Sequence, residues 1–167
     1  VVAGMTGQEV QTNTAQPGVV LSRNVYVKST FEAAVVLDEV ASEVVKLLAS
    51  RECVYVYIYY RIYSDGARQV EAYVVDTNEV RDAEGRLVFA HAGNKVWPSG
   101  TYEWEFVLRI DRDVDVEKAF AKVLEVTNHV KWGFMRRAAK ELMRVFRMRG
   151  AIMIADELTR EYIVRII

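Results

Sequence analysis

The stretch that decides the fold is residues 53–75, CVYVYIYYRIYSDGARQVEAYVV, which contains two strand-like runs separated by a turn. Both runs are rich in β-branched and aromatic residues, a composition typical of strands. If Gly66 adopts the left-handed conformation in a three-residue loop, Tyr60 pairs with Val70 and apolar residues stay opposite one another. A two-residue turn would instead place Tyr60 opposite Glu71. We therefore predict a β-hairpin with a three-residue loop.

Patterns on either side of this hairpin predict an α+β fold: a four-stranded antiparallel sheet with an N-terminal helix and C-terminal helices packed on it. Ser29 and Glu32 form a capping box, after which apolar residues recur at helical spacing to about Ser50. Sequential strands joined by short turns favour antiparallel pairing. The other predicted elements are strands at 25–27, 86–91 and 101–110, one bent helix or two helices from a cap at Asp113 to Gly150, and an amphipathic helix at 151–167.

The length of 167 residues fits a single domain with a sizeable core. We expect a flexible N-terminal arm at 1–24, a single α+β domain at 25–150 and a C-terminal helix at 151–167 that is suited to dimerisation. Cys53 is the only cysteine, which excludes an intrachain disulfide and favours a reducing compartment. The sequence has no apolar run of about 20 residues and no signal-peptide pattern, so it predicts a cytoplasmic protein without a membrane partner.

Familiar enzyme signatures are absent from the sequence, which has no glycine-rich phosphate loop, no G-x-S-x-G and no Cys-x-x-Cys. His91 and His129 have no cysteine or acid at metal-ligand spacing, which favours structural or surface roles for both. We therefore expect no catalytic residues, no metal and no cofactor. Glu103 and Glu105 share one face of a predicted strand, and a metal-dependent nuclease is the alternative that they support. The same spacing is found on any solvated strand face.

One face of the first hairpin strand is the first candidate binding surface. It carries Tyr55, Tyr57, Tyr59, Arg61 and Tyr63. The opposite face of the strand is more apolar and is the better core face, so the tyrosines can face outward as a platform for stacking nucleobases. Cross-strand aromatic packing beneath a second layer explains the row equally well. The sequence leaves both interpretations open.

A basic segment at 131–149 is the second candidate surface. It holds seven basic residues and one acid, a local charge of +6. The rest of the chain holds 15 basic and 22 acidic residues, so the net charge of −1 conceals a strong asymmetry. Such a concentration of positive charge is typical of phosphate contact, and a solvated face balanced by acids elsewhere is the common alternative.

Helical spacing divides this basic segment into two sides. The basic side is predicted to carry Arg136, Arg137, Lys140, Arg144 and Arg147. The buried side is predicted to carry Phe134, Ala138, Leu142 and Val145. A further candidate for base stacking is Trp97, in the glycine-flanked loop at 93–100, although a packing role at one end of the core is equally ordinary.

A helix, an antiparallel sheet with an aromatic face and then basic helices, without the strand order of an OB-fold, resembles the ThermoDBP family, the single-stranded DNA-binding proteins of the Thermoproteales. The similarity lies in residues 53–63, the strands to Ile110 and the stripe from Arg136 to Arg147, and it spans about 25–150. It implies an archaeal, thermophilic, cytoplasmic protein that binds single-stranded DNA with little sequence preference. It also implies an apolar cleft flanked by basic residues and a dimerising C-terminal helix. Residues 152–167 lack a clean leucine heptad.

The leading hypothesis from the sequence is a non-enzymatic, largely sequence-independent binder of single-stranded DNA, or of RNA, that forms a homo-oligomer such as a dimer. Tyr55, Tyr57, Tyr59 and Trp97 would stack on bases. Arg61 and the basic side of the helix would hold phosphates. The alternative is a structural or assembly protein, such as a viral coat or a complex subunit, whose basic stripe contacts nucleic acid or an acidic partner.

Overall fold

The computed structural model of the protein describes residues 8–9, 19–75, 102–128, 132–146, 149–155 and 161–166. The strands are β1 (Gln8–Glu9), β2 (Val19–Val27), β3 (Cys53–Ile62), β4 (Arg68–Val75), β5 (Tyr102–Asp111), β6 (Arg149–Ala155) and β7 (Glu161–Ile166). The helices are α1 (Thr30–Leu48), α2 (Val116–Thr127) and α3 (Trp132–Val145). The predicted strand at 86–91 lies outside the described residues.

The described strands form one antiparallel sheet in the order β1-β2-β4-β3-β5-β6-β7. The predicted α+β class is confirmed, since an antiparallel sheet carries the N-terminal helix α1 and the later helices α2 and α3. The sheet has seven described strands, more than the four expected, because segments at both ends of the chain add to it. The hairpin strand β3 lies at the centre, with β4 along one edge and β5 along the other.

The prediction of a C-terminal helix at 151–167 is wrong, because β6 and β7 occupy the described part of this segment. Ile152, Tyr162 and Ile166 do recur at helical spacing, but the segment is also rich in β-branched residues that favour strands. Pairing with β5 favours the strand over the helix, because β6 supplies hydrogen-bond partners along the edge of β5 that does not face β3. The described part of this segment therefore provides no dimerising helix.

The predicted N-terminal arm at 1–24 also needs correction, because residues 19–24 belong to β2. This strand pairs with β4 along its length, and Gln8 and Glu9 add β1 to its other edge. The strand therefore begins well before the short run at 25–27 that the sequence predicts. A partner strand that is distant in sequence extends the pairing to residues whose own composition does not specify a strand.

The apolar core lies between the helices and one face of the sheet. The side of β3 that carries Val56 and Ile58 packs beneath α1, and both residues are fully buried. The Ser29 half of the predicted capping box is confirmed, since Ser29 Oγ accepts a hydrogen bond from the Glu32 amide at 3.2 Å. The Glu32 carboxylate reaches back to accept from the Lys28 amide at 2.7 Å. These local contacts fix where α1 enters the layer above the sheet.

The segment after β5 forms two helices, one of the two arrangements that the sequence allows. Asp115 caps α2, with its carboxylate accepting from the Lys118 amide at 3.2 Å, so the predicted cap at Asp113 is wrong by two residues. Asn128 ends α2, and the basic segment then forms the separate helix α3. Helix α2 packs between α1 and α3, and α3 also contacts β6 and β7. The basic helix is thus anchored at one end of the helical layer.

The β3–β4 hairpin confirms the predicted loop and register. Tyr60 pairs with Val70, and Gly66 has a φ of +88°. The Tyr63 amide donates to the Ala67 carbonyl oxygen at 2.8 Å and closes the loop. The parity of apolar residues on the two strands was therefore sufficient to select the loop length.

Replacing Gly66 by alanine is expected to destabilise the protein by about 1 kcal/mol, because a residue with a Cβ is strained at positive φ. Apart from its two chain neighbours, no described residue has an atom within 4 Å of a Cβ added there, so the loss comes from backbone conformation and not from a clash. Denaturant unfolding measures it, with Gly66→Asn as the control, because asparagine tolerates this conformation better. An alanine variant as stable as the wild type would contradict the left-handed loop residue.

Candidate nucleic-acid interface

The tyrosine row of β3 is largely buried. The exposed fractions of Tyr57 and Tyr59 are only 4% and 3%, and both pack with Tyr73 and Val75 of β4. The rings of Tyr59 and Tyr73 meet edge to face, with their centroids 6.5 Å apart. Tyr55 is partly exposed. Of the two interpretations left open by the sequence, the structure supports cross-strand packing, and Tyr57 and Tyr59 do not form an outward stacking platform.

Arg61 is fully buried on the same face and is held by two carboxylates. Its Nε lies 2.5 Å from Glu103 Oε2, and its Nη2 lies 2.9 Å from Glu71 Oε1. The register explains both contacts, since Glu103 is directly opposite Arg61 on β5 and Glu71 is diagonal to it on β4. Burial acts to lower the pKa of Arg61, but Glu103 and Glu71 outweigh it and raise that pKa above its usual value. The prediction that Arg61 contacts phosphate is wrong, because its buried guanidinium is paired with Glu71 and Glu103.

Hydrogen bonds extend this polar region along the sheet. Tyr73 donates to Glu71, and burial together with that contact raises the pKa of the Tyr73 phenol well above its usual value. Gln69 Nε2 donates to Asn24 Oδ1 at 2.7 Å, and Tyr63 donates to Gln69. We call Arg61, Glu71, Glu103 and Tyr73 the Arg61 cluster. Its groups are engaged with one another, which is how buried polar groups avoid a large desolvation cost.

Glu103 and Glu105 share one face of β5, as their spacing predicts. Glu103 is engaged by Arg61, and Glu105 pairs with Tyr59 in the strand register. Within the described ranges, no group of three or more Asp, Glu, His or Cys side chains is placed to hold a metal ion. The ion pair with Arg61 gives Glu103 a structural role, so it does not favour the nuclease alternative.

Helix α3 presents an exposed basic face, which we define as Arg137, Lys140 and Arg144. At about 100° per residue, these three side chains lie within roughly 60° of one another around the helix axis. No carboxylate of the residues that the structure describes lies within 4.0 Å of them. Glu141, the only acid of α3, is instead drawn to α2, where Lys122 Nζ lies 3.2 Å from its Oε1. The basic face therefore keeps its positive charge.

The buried side of α3 is rotated from the predicted one. Ala138 and Leu142 are buried as predicted, with exposed fractions of 7% and 0%. The spacing also predicts burial of Phe134 and Val145, but their exposed fractions are 52% and 57%. Ala139, on the other flank of Leu142, is buried in their place, so the centre of the buried side shifts towards it. This rotation moves Phe134 to the border of the basic face.

Phe134 and the basic face form one continuous surface. The guanidinium carbon of Arg137 lies 5.8 Å from the centroid of the Phe134 ring, in a cation–π contact. A groove of about 650 Å³ adjoins this surface, and its described lining residues are Arg137, Lys140, Glu141 and Arg144. The sequence did not identify Phe134, because helical spacing alone assigns this residue to the core. It also missed the pairing of Glu141 with Lys122, which depends on how α2 packs against α3.

The other predicted contact residues lie beyond what the structure describes. Arg136 is within α3, but its side chain is not among the described ones. Arg147, Trp97, His91 and His129 lie outside the described residues. Their predicted roles therefore remain predictions.

Comparison with known proteins returns no relative for this chain. No family model matches it, and neither a curated protein nor a solved structure shows significant similarity to it. No helix in the described part of the chain is long and apolar enough to cross a membrane. A functional conclusion therefore depends on the side chains and charges described above.

Proposed function

We propose that the protein is a non-enzymatic, largely sequence-independent binder of single-stranded DNA that holds the phosphate backbone on the basic face of α3. The observation that carries the proposal is the exposure of Arg137, Lys140 and Arg144 on one face, with no described carboxylate within 4.0 Å of them. Like charges at helical spacing repel one another, and a bound polyanion relieves that repulsion. Each phosphate that they neutralise also releases counterions, which favours binding most strongly at low salt.

The packing of α2 against α3 supports the proposal, because it pairs Glu141, the described acid beside the basic face, with a lysine of α2. Lys122 Nζ lies 3.2 Å from both Glu125 Oε2 and Glu141 Oε1. Its hydrogen bond to Glu125, and then the one to Glu141, raise the pKa of Lys122, so this lysine stays charged at neutral pH. Glu141 is thereby partly neutralised, and its repulsion of an approaching phosphate is reduced.

The proposal agrees with what the resemblance to the ThermoDBP family implies, namely a cytoplasmic protein with little sequence preference. It differs from the sequence hypothesis in its contact residues, since Arg61, Tyr57 and Tyr59 belong to the sheet interior. A homo-oligomer is compatible with it. The described part of residues 151–167 forms strands, so it does not supply the helical dimer contact that the resemblance implies.

Replacing Arg137, Lys140 and Arg144 together by glutamine is expected to weaken binding to oligo-dT about 100-fold, because three phosphate contacts are lost. The slope of log K against log salt should fall by about 2, since each contact on a single strand contributes about 0.7. Fluorescence anisotropy with labelled oligo-dT and a duplex of equal length, each at several salt concentrations, measures both quantities.

The matched control replaces Lys28, Lys46 and Lys118 by glutamine, which removes the same charge from exposed positions elsewhere. Its affinity should stay within a few-fold of the wild type. Equal losses in the two triple variants would mean that net charge, and not the basic face, attracts the DNA. Salt-insensitive or undetectable binding by the wild type would overturn the proposal. If light scattering then found large assemblies, the assembly-protein alternative would replace it.

A further inference from the structure

An exposed aromatic residue stands at the N-terminal end of the basic face. Phe134 is 52% exposed, although a helix of this spacing would place it in the core. Single exposed apolar residues are common on protein surfaces and by themselves indicate nothing. Phe134 differs in its surroundings, because Arg137 lies over its ring at 5.8 Å and the groove beside the basic face begins one turn further along.

A ring and a guanidinium in contact provide what an unpaired base recognises. Bases of single strands stack on phenylalanine rings and on the planes of arginine side chains, with little dependence on sequence. A base within a duplex is already stacked and must first be unstacked, at a substantial cost. A surface that adds such a pair to a row of cations therefore favours single strands over duplex, whereas cations alone bind both.

The placement of these groups along α3 matches a short piece of single strand. Residues 134 and 144 are separated by about 15 Å along the helix axis, at 1.5 Å per residue. One end of this surface offers Phe134 and Arg137, and the other end offers Lys140 and Arg144. A base can therefore stack at the first end while the phosphates that follow it lie along the remainder.

We propose that Phe134, with Arg137 held on its ring, is the base-stacking residue of this surface and determines its preference for single strands. This inference rests on the function proposed above. It also assigns to α3 the aromatic contact that Tyr57 and Tyr59 cannot provide, because these two residues are only 4% and 3% exposed.

The test compares Phe134→Leu, which removes the ring and keeps an apolar side chain, with Phe134→Trp, which keeps an aromatic ring. The leucine variant should bind oligo-dT about 5- to 150-fold more weakly, the range for one stacked base. Its affinity for duplex and its salt slope should stay unchanged, because the cations remain. The tryptophan variant should bind at least as well as the wild type. Its fluorescence should be quenched by oligo-dT beyond the quenching of the native protein.

Phe31→Leu is the matched control, because Phe31 is 76% exposed on α1 and away from the basic face. It should leave both affinities unchanged, and unfolding midpoints should show that the three variants fold as the wild type does. If the wild type binds oligo-dT in a salt-dependent way and Phe134→Leu binds each DNA as tightly as the wild type does, only the role of Phe134 is wrong. A leucine variant that loses duplex and single-strand binding alike would also overturn it. A wild type that binds neither DNA defeats the proposed function itself.

Discussion

Replacing Arg61 by methionine is expected to lower the free energy of unfolding by about 3–5 kcal/mol, because it leaves two buried carboxylates without their cation. Glu71 and Glu103 both contact the guanidinium, and their exposed fractions are only 3% and 9%. Methionine fills a similar volume, so the loss reports the missing charge more than a cavity. Urea unfolding at pH 7, with far-UV circular dichroism as the signal, measures it.

The pH dependence of this variant separates an electrostatic loss from a packing defect. Protonation removes the charge of the stranded carboxylates, so the folded variant should take up protons more readily than its unfolded chain. Stability then rises as pH is lowered from neutrality, so the deficit relative to the wild type should shrink. In the wild type, Glu103 and Glu71 hold the pKa of Arg61 above its usual value, so that residue does not titrate in this pH range.

A second variant, Arg61→Met with Glu71→Gln and Glu103→Gln, removes all three charges and is the control for the first. It should recover much of the lost stability, since buried ion pairs are often replaced at little cost once every partner is neutral. A single variant as stable as the wild type would show that the ion pairs do not form. A deficit that stays constant with pH would point to packing.

Replacing Leu142 by alanine is expected to cost about 2–5 kcal/mol, whereas Val145→Ala should cost less than about 0.5 kcal/mol. Both residues lie on the side of α3 that the sequence pattern assigns to the core. In the structure Leu142 is 0% exposed and Val145 is 57% exposed, so only the first leaves a cavity. Thermal or urea unfolding of the two variants measures the difference directly.

These two variants also report how α3 is oriented, because Leu142 lies on its buried side and Val145 is exposed. Similar losses in both would indicate the unrotated helix of the sequence pattern, with Phe134 in the core. Such a result would remove the basis for the stacking role of Phe134. The expected asymmetry would support the rotated helix and leave that role to be tested by binding.

Local patterns predicted the elements whose cause is local. The helix start at Ser29 depends on groups a few residues apart, and the structure confirms this cap. The loop at Gly66 follows from parity within one hairpin, and its register is also confirmed. The helix prediction for 151–167 was wrong because the cause there is not local. The strand β6 depends on pairing with β5, which is distant in sequence. Helical spacing there is real, but it is weaker than a paired sheet edge.

The candidate site also has some features with local causes and others that depend on tertiary packing. The sequence was sufficient to locate the cations on one helix, because their spacing and the local charge of +6 are properties of a single segment. Only the tertiary structure decided which aromatic residue meets solvent. Side chains of the neighbouring strands β4 and β5 pack around Tyr57, Tyr59 and Arg61. The packing of α3 around Ala139 and Leu142 leaves Phe134 exposed. Burial depends on what covers a face, and periodicity within one element specifies a face but not its cover.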